Sequence, residues 1–211
     1  GNEWDCALSS NTGTFIRSTD CTIGGENHIE VSGTLEIDGS QPDMKHLITI
    51  TAASKHRHFY LNNANAELIL RYLKLVGGDV SSSYSSGSAD SYGVSILINT
   101  NGGELNLYSS IVFNNKGIYG GGIYALGDSN TNKNAIMNIY NSIIHNNEAT
   151  NYGGGINMYR AVCTIYNTTI DNNQAGTDGG GMGIDNSDVT MKNTIISNNN
   201  AGKDGGGLWI Y

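Results

Sequence analysis

The sequence predicts an all-β solenoid, a parallel β-helix of about seven or eight rungs. Three observations carry this. First, one phrase recurs four times in the second half: an apolar pair, two asparagines, a short polar stretch, three glycines and another apolar residue. The first asparagines fall at Asn114, Asn146, Asn172 and Asn198, a spacing of 32 and then twice 26 residues. A fixed period in this range marks stacked units, each touching only its neighbours. Second, apolar residues ahead of the asparagine pairs alternate with period two. Leu105, Met137, Cys163 and Val189 form one column, and Leu107, Ile139, Ile165 and Met191 form the next. This is the signature of a strand with one buried face. Third, no helical period occurs, and 26 residues are too few for a four-stranded propeller blade. One unit cannot bury both columns, but stacked units can, because each strand then pairs with its copy about 4.8 Å above and below.

Residues 1–27 are expected to cap the coil. Cys6 and Cys21 lie in this segment, and a disulfide across them would close a loop that contributes up to roughly 3 kcal/mol; two free thiols are the alternative. Trp4 is placed to cover the open end of the core. Residues 28–104 are expected to form irregular rungs. His28 to Gly39 alternates and turns at glycine. Leu47 to Thr51 and Phe59 to Leu61 follow, and Leu68, Leu70, Leu73 and Leu75 lead into Gly77-Gly78, which stand where later copies carry Asn-Asn. The serine- and glycine-rich residues 80–93 read as a surface loop.

Residues 105–211 are the regular rungs, each expected to hold two or three short strands. Val112, Ile144, Ile170 and Ile196 extend the inward pattern past a turn. Two residues on, Asn114, Asn146, Asn172 and Asn198 are expected inside the coil as a self-satisfying amide ladder. The second asparagines, Asn115 to Asn199, are expected at corners in left-handed geometry. The glycine triplets also read as corners, since no helix pattern follows to make a phosphate cradle. Residues 127–135 form an inserted loop that lengthens the first interval. Cys163 sits in an inward column and reads as an inert buried thiol. Gly205 to Tyr211 stops in mid-unit, so further rungs or a cap are expected beyond Tyr211.

Composition narrows the function classes. The 211 residues carry a formal charge of −8, and eleven basic residues are scattered without a cluster. Nucleic-acid recognition needs a positive footprint and is not expected. No apolar run is long enough to span a bilayer as a helix.

The tandem pairing of x-x-Asn with Gly-Gly-x resembles the repeats of the polymorphic outer membrane proteins of chlamydiae and related surface proteins. The matching pieces are Ile111-x-x-Asn114, Ile143-x-x-Asn146, Thr169-x-x-Asn172 and Ile195-x-x-Asn198, with Gly121-Gly122-Ile123, Gly154-Gly155-Ile156, Gly180-Gly181-Met182 and Gly206-Gly207-Leu208. The family's spelling has alanine after the glycine pair and phenylalanine in the asparagine motif; this chain has glycine in the first place and isoleucine or threonine in the second. The resemblance covers residues 105–211. It implies a right-handed, pectin-lyase-like β-helix displayed outside the cell and used in adhesion.

Several candidate sites stand on that scaffold. Tyr108, Tyr140 and Tyr166 share an outward column, continued by Lys192. An exposed aromatic stripe suits glycan or protein contact, but cross-rung stacking that merely stabilises the sheet explains it slightly better. A polysaccharide lyase, hydrolase or epimerase would need converging carboxylates. The chain offers Asp171, Asp178, Asp185, Asp188 and Asp204; of these Asp178 and Asp204 are equivalent residues one rung apart, but their counterparts upstream are Tyr119 and Tyr152. His56 and His58 offer two imidazoles with no third ligand, so no metal or other cofactor is expected. Gly180 to Asp185 starts like a nonapeptide calcium repeat but has no tandem partner. Thr164 and Thr190 make too short an array for ice binding. Asn167-Thr-Thr169 spells a glycosylation sequon in a turn column. The sequence thus favours a non-catalytic extracellular protein for adhesion, surface assembly or binding of a glycan or protein, with stacking of coil ends as a route to self-assembly.

Overall fold

The computed structural model describes residues 6, 11–23, 28–41, 46–53, 55–80, 95–128 and 135–211. Trp4 and most of the two predicted loops, 80–93 and 127–135, lie outside these residues. Among the described residues every regular element is a strand, and the chain coils seven times.

The first turn holds β1 (Gly13–Ile16), β2 (Cys21–Ile23) and β3 (Ile29–Val31). The second holds β4 (Thr34–Asp38), β5 (Ile48–Ala52) and β6 (Phe59–Leu61). The third holds β7 (Glu67–Arg71), β8 (Leu73–Val76) and β9 (Ile96–Ile98). From here each turn has four strands. They are β10 (Gly103–Tyr108), β11 (Ile111–Phe113), β12 (Lys116–Tyr119) and β13 (Ile123–Leu126) in the fourth, then β14 (Ala135–Tyr140), β15 (Ile143–His145), β16 (Glu148–Tyr152) and β17 (Ile156–Tyr159) in the fifth. The sixth has β18 (Ala161–Tyr166), β19 (Thr169–Asp171), β20 (Gln174–Ala175) and β21 (Met182–Asp185), and the seventh has β22 (Asp188–Lys192), β23 (Ile195–Ser197), β24 (Asn200–Ala201) and β25 (Leu208–Ile210). Equivalent strands stack into three seven-stranded sheets and one four-stranded sheet, and every pairing is parallel. This is a parallel β-helix, wound as the period demands.

The columns meet like with like. Leu105 pairs with Met137, Met137 with Cys163 and Cys163 with Val189. Val112, Ile144, Ile170 and Ile196 follow in the second wall. Leu35, Leu68, Leu70, Leu75, Val112, Ile144 and Ile170 have no exposed surface. A core that runs along the coil axis buries these side chains at roughly 1.5–3 kcal/mol each.

Three sequence expectations need correction. The first turn begins at Gly13, inside the segment assigned to a cap: Gly13 pairs with Leu35 and Cys21 with Ile50. Cys6 is bonded to Cys21, so the disulfide ties the chain start to the first member of the second-wall column. The regular turns carry a fourth wall, β12 to β24, which two- and three-strand units did not allow for. Its inward column is Gly117, Ala149, Ala175 and Ala201, small residues that signal little apolar content in sequence.

The third correction concerns the asparagines, whose roles are exchanged. Asn114, Asn146, Asn172 and Asn198 are exposed and left-handed, with φ between 52° and 54°. Their neighbours are the ladder. Asn115 and Asn147 are 0% and 1% exposed. Asn115 Nδ2 donates to Asn147 Oδ1 at 2.9 Å, Asn147 Nδ2 to Asn173 Oδ1 at 3.1 Å, and Asn173 Nδ2 to Asn199 Oδ1 at 3.0 Å. Each acceptor oxygen also receives the backbone N–H of the asparagine before it. The physical reason is parity. Alternation holds only while the backbone stays extended, and one left-handed residue reverses it, so the residue after the corner points inward. The ladder ends at Gly78, whose N–H donates to Asn115 Oδ1.

Candidate aromatic binding groove

The predicted stripe is real as a column: Tyr108 pairs with Tyr140, Tyr140 with Tyr166 and Tyr166 with Lys192. Its ring faces are largely taken. Tyr108 and Tyr140 stack at 5.3 Å with 8° between planes, and the Arg71 guanidinium lies 4.3 Å from the centre of the Tyr108 ring while bonding Glu36 at 2.8 Å. Rings stacked along the coil axis turn their edges outward, an arrangement that ties rungs together.

Other candidates have scaffold partners. Asp178 Oδ1 accepts the Asp204 backbone N–H at 3.0 Å. His56 precedes β6 in a turn, whereas His58 is fully buried. His58 Nε2 lies 3.1 Å from both the Ile50 and Val76 carbonyl oxygens, and Nδ1 lies 3.1 Å from Ser95 Oγ. Burial pushes the His58 imidazole down to about 4 against two raising carbonyl contacts. The two histidines therefore do not form a metal pair, and among the described residues no group of three metal-ligating side chains gathers. Burial likewise pushes the Cys163 thiol up to about 12. Asn167 is left-handed and donates from Nδ2 to Asn141 Oδ1 at 2.7 Å.

A hollow of about 260 Å³ opens instead on the outer face of the β13–β25 wall. Three columns build it. Tyr119 and Tyr152 end β12 and β16, directly before the left-handed glycines Gly120 and Gly153 that turn the chain. The outward column of the next wall runs Tyr124, Asn157, Gly183, Trp209. Two residues further on it runs Leu126, Tyr159, Asp185, and Tyr211 follows, its N–H donating to the Ile184 carbonyl. Alternation turns all of these side chains away from the core.

Gly183 shapes the floor. A side chain there would strike the Asn157 Oδ1 that lies across it. With no side chain contributed by the sixth turn at this column, the indole of Trp209 in the seventh turn reaches Tyr152 in the fifth. Their centroids are 5.6 Å apart with planes 17° off parallel. Tyr119 stacks on Tyr152 at 5.7 Å and Tyr211 on Trp209 at 5.7 Å, so four rings form one continuous run. Asp185 and Asn157 are the carboxylate and amide lining the hollow. The Arg160 guanidinium sits 5.3 Å from the centre of the Tyr159 ring, with its Nε buried and without a hydrogen-bond partner among the described residues. Such a groove offers apolar ring surface with a few polar groups to fix orientation, the make-up of a small-ligand site.

Sequence reasoning did not assign this groove. Tyr119 and Tyr152 drew notice only as counterparts of Asp178 and Asp204. The available signal was the aromatic enrichment of outward positions just past the glycine triplets, at Tyr124, Tyr159, Trp209 and Tyr211. Compared with protein-family models and with curated proteins, the chain shows no match.

Proposed function

We propose that this protein is a non-catalytic β-helix working outside the cell, in adhesion or surface assembly, and that it binds carbohydrate in the aromatic groove. The observation that carries the reading is the hollow walled by Tyr119, Tyr124, Tyr152, Trp209 and Tyr211 beside Asn157 and Asp185. Sugar rings present apolar C–H faces that suit an aromatic wall, and their hydroxyls need acceptors and donors such as the amide and the carboxylate. A hollow of about 260 Å³ is slightly below the usual 300–1,000 Å³ of drug-sized sites, which fits one sugar ring of a longer chain. The Cys6–Cys21 disulfide supports an oxidising setting. No helix of the described residues is long and apolar enough to cross a membrane. The repeat spelling shared with the polymorphic outer membrane proteins points the same way, to a surface role.

A glycan array with the intact protein tests this. Binding to a defined set of glycans is expected, weakened about tenfold or more by Trp209→Ala, in a variant that loses two ring stacks at about 0.5–1.5 kcal/mol each and is checked by thermal unfolding to be folded at the temperature of the array. An array with no bound glycan, or binding indifferent to Trp209→Ala and Tyr152→Ala, refutes the groove as the site. New reducing ends or unsaturated sugars after incubation with polysaccharide would replace the reading with an enzymatic one.

A further inference from the structure

The groove's charge deepens the carbohydrate reading, on which this inference rests. The lining residues include one acid, Asp185, and no lysine, arginine or histidine. Asp185 stands between Tyr159 and Tyr211 in its column. On the neighbouring column Asp178 follows Tyr152 by one turn. The Arg160 guanidinium is engaged over the ring of Tyr159. The faces of Tyr152 and Trp209 are taken up by their neighbours in the run, so the charge of the hollow is set by Asp185. An acidic sugar placed there would meet that carboxylate unfavourably, and a chain of net charge −8 adds to the repulsion. A neutral sugar fills the hollow but leaves the carboxylate without a counter-charge. A ring bearing a protonated amine supplies it.

We infer that the groove selects amino sugars with a free, protonated amine over N-acetylated, neutral and acidic sugars, with Asp185 contacting the ammonium group and the sugar ring seated in the hollow walled by Tyr152, Tyr159, Trp209 and Tyr211. A carboxylate in an aromatic-walled hollow could also take a quaternary ammonium group, so the test carries choline as a separate arm to tell the two sources of positive charge apart.

The experiment is calorimetric titration of the whole chain with four probes: a glucosamine tetramer, its fully N-acetylated counterpart, a galacturonate tetramer and choline, at a pH where the amine is protonated. The glucosamine tetramer is expected to bind at least about tenfold tighter than the N-acetylated one, as for a charge contact in a partly dry site, and galacturonate not at all. Asp185→Asn, which preserves shape, should bring the two glucosamine forms to within about twofold, while Trp209→Ala should weaken both together. Equal or tighter binding of the N-acetylated tetramer, or a preference that survives Asp185→Asn, overturns the amine assignment and leaves carbohydrate binding in the groove standing. Choline bound in preference to every sugar overturns the amino-sugar assignment. Absence of binding by any tetramer overturns this inference; the carbohydrate reading falls with it only where the glycan array is also blank.

Discussion

Replacing Asn147 with alanine tests the interior ladder most directly. The Asn147 side chain makes four hydrogen bonds. Its Oδ1 accepts from Asn115 Nδ2 at 2.9 Å and from the Asn115 backbone N–H at 3.1 Å, and its Nδ2 donates to the Val112 carbonyl at 3.0 Å and to Asn173 Oδ1 at 3.1 Å. All four partners are buried. At about 1 kcal/mol net per bond, with stranded partners adding their desolvation, the loss should reach about 3–5 kcal/mol. In a chain of 211 residues each kcal/mol moves Tm by about 2–4 °C, so a fall of about 6–20 °C is expected. Asn146 is the control. It is exposed and left-handed at φ 53°, where alanine costs about 1 kcal/mol from backbone strain and nothing from lost contacts. The assay is circular-dichroism melting and urea unfolding of both single variants beside the parent. If Asn146→Ala destabilises as much as Asn147→Ala, the second asparagine is not the interior residue, and the parity argument at the corner fails.

Ile170 has no exposed surface between Ile144 and Ile196; Ile170→Ala should cost about 2–5 kcal/mol in urea unfolding, whereas Tyr140→Ala, losing mainly one ring stack, should cost about 0.5–1.5 kcal/mol. His58 holds fewer protons when folded, at about 4, than the unfolded chain with its ordinary value of 6.5. Its contribution is thus complete above about pH 6.5 and drains away as pH falls toward 4, by about 3 kcal/mol in all. His58→Gln should flatten that part of the stability-versus-pH curve, and an unchanged slope would show that other groups set it. Cys163, with its thiol pushed up to about 12 by burial, should resist iodoacetamide at pH 8 while folded and react once unfolded in urea; prompt labelling of the native protein would contradict its place in the core.

Much of the coil is legible in the residues because its logic is linear. Leu105, Met137, Cys163 and Val189 can be aligned by eye since each lies in extended backbone, where position along the strand dictates the face. The errors cluster where that condition lapses. Asn114 and its copies break the extended path, and the alternation that placed Val112 correctly misplaced them by one residue. β20 and β24, two residues each, are too short to display a period at all. β1 at Gly13–Ile16 and β2 at Cys21–Ile23 join the first turn through pairing with β4 and β5, and polar residues such as Thr14 and Thr22 hide that membership.

The groove fails to show in the sequence for a different reason. Column membership is a one-dimensional property, and it does place Tyr124, Asn157, Gly183 and Trp209 in one line. What makes a site of them is a vacancy two-thirds of the way along that line. Because Gly183 carries no side chain, Trp209 spans a turn to reach Tyr152, and a contact is made between residues two rungs apart that no nearest-neighbour rule foresees. Filling the column at the sixth turn should therefore abolish the groove without harming the coil's core, which lies on the opposite face of the wall. A repeat protein acquires specificity this way: the scaffold columns stay alike in every turn, and a departure in one outward column opens a hollow beside the stacked rings with room for a ligand.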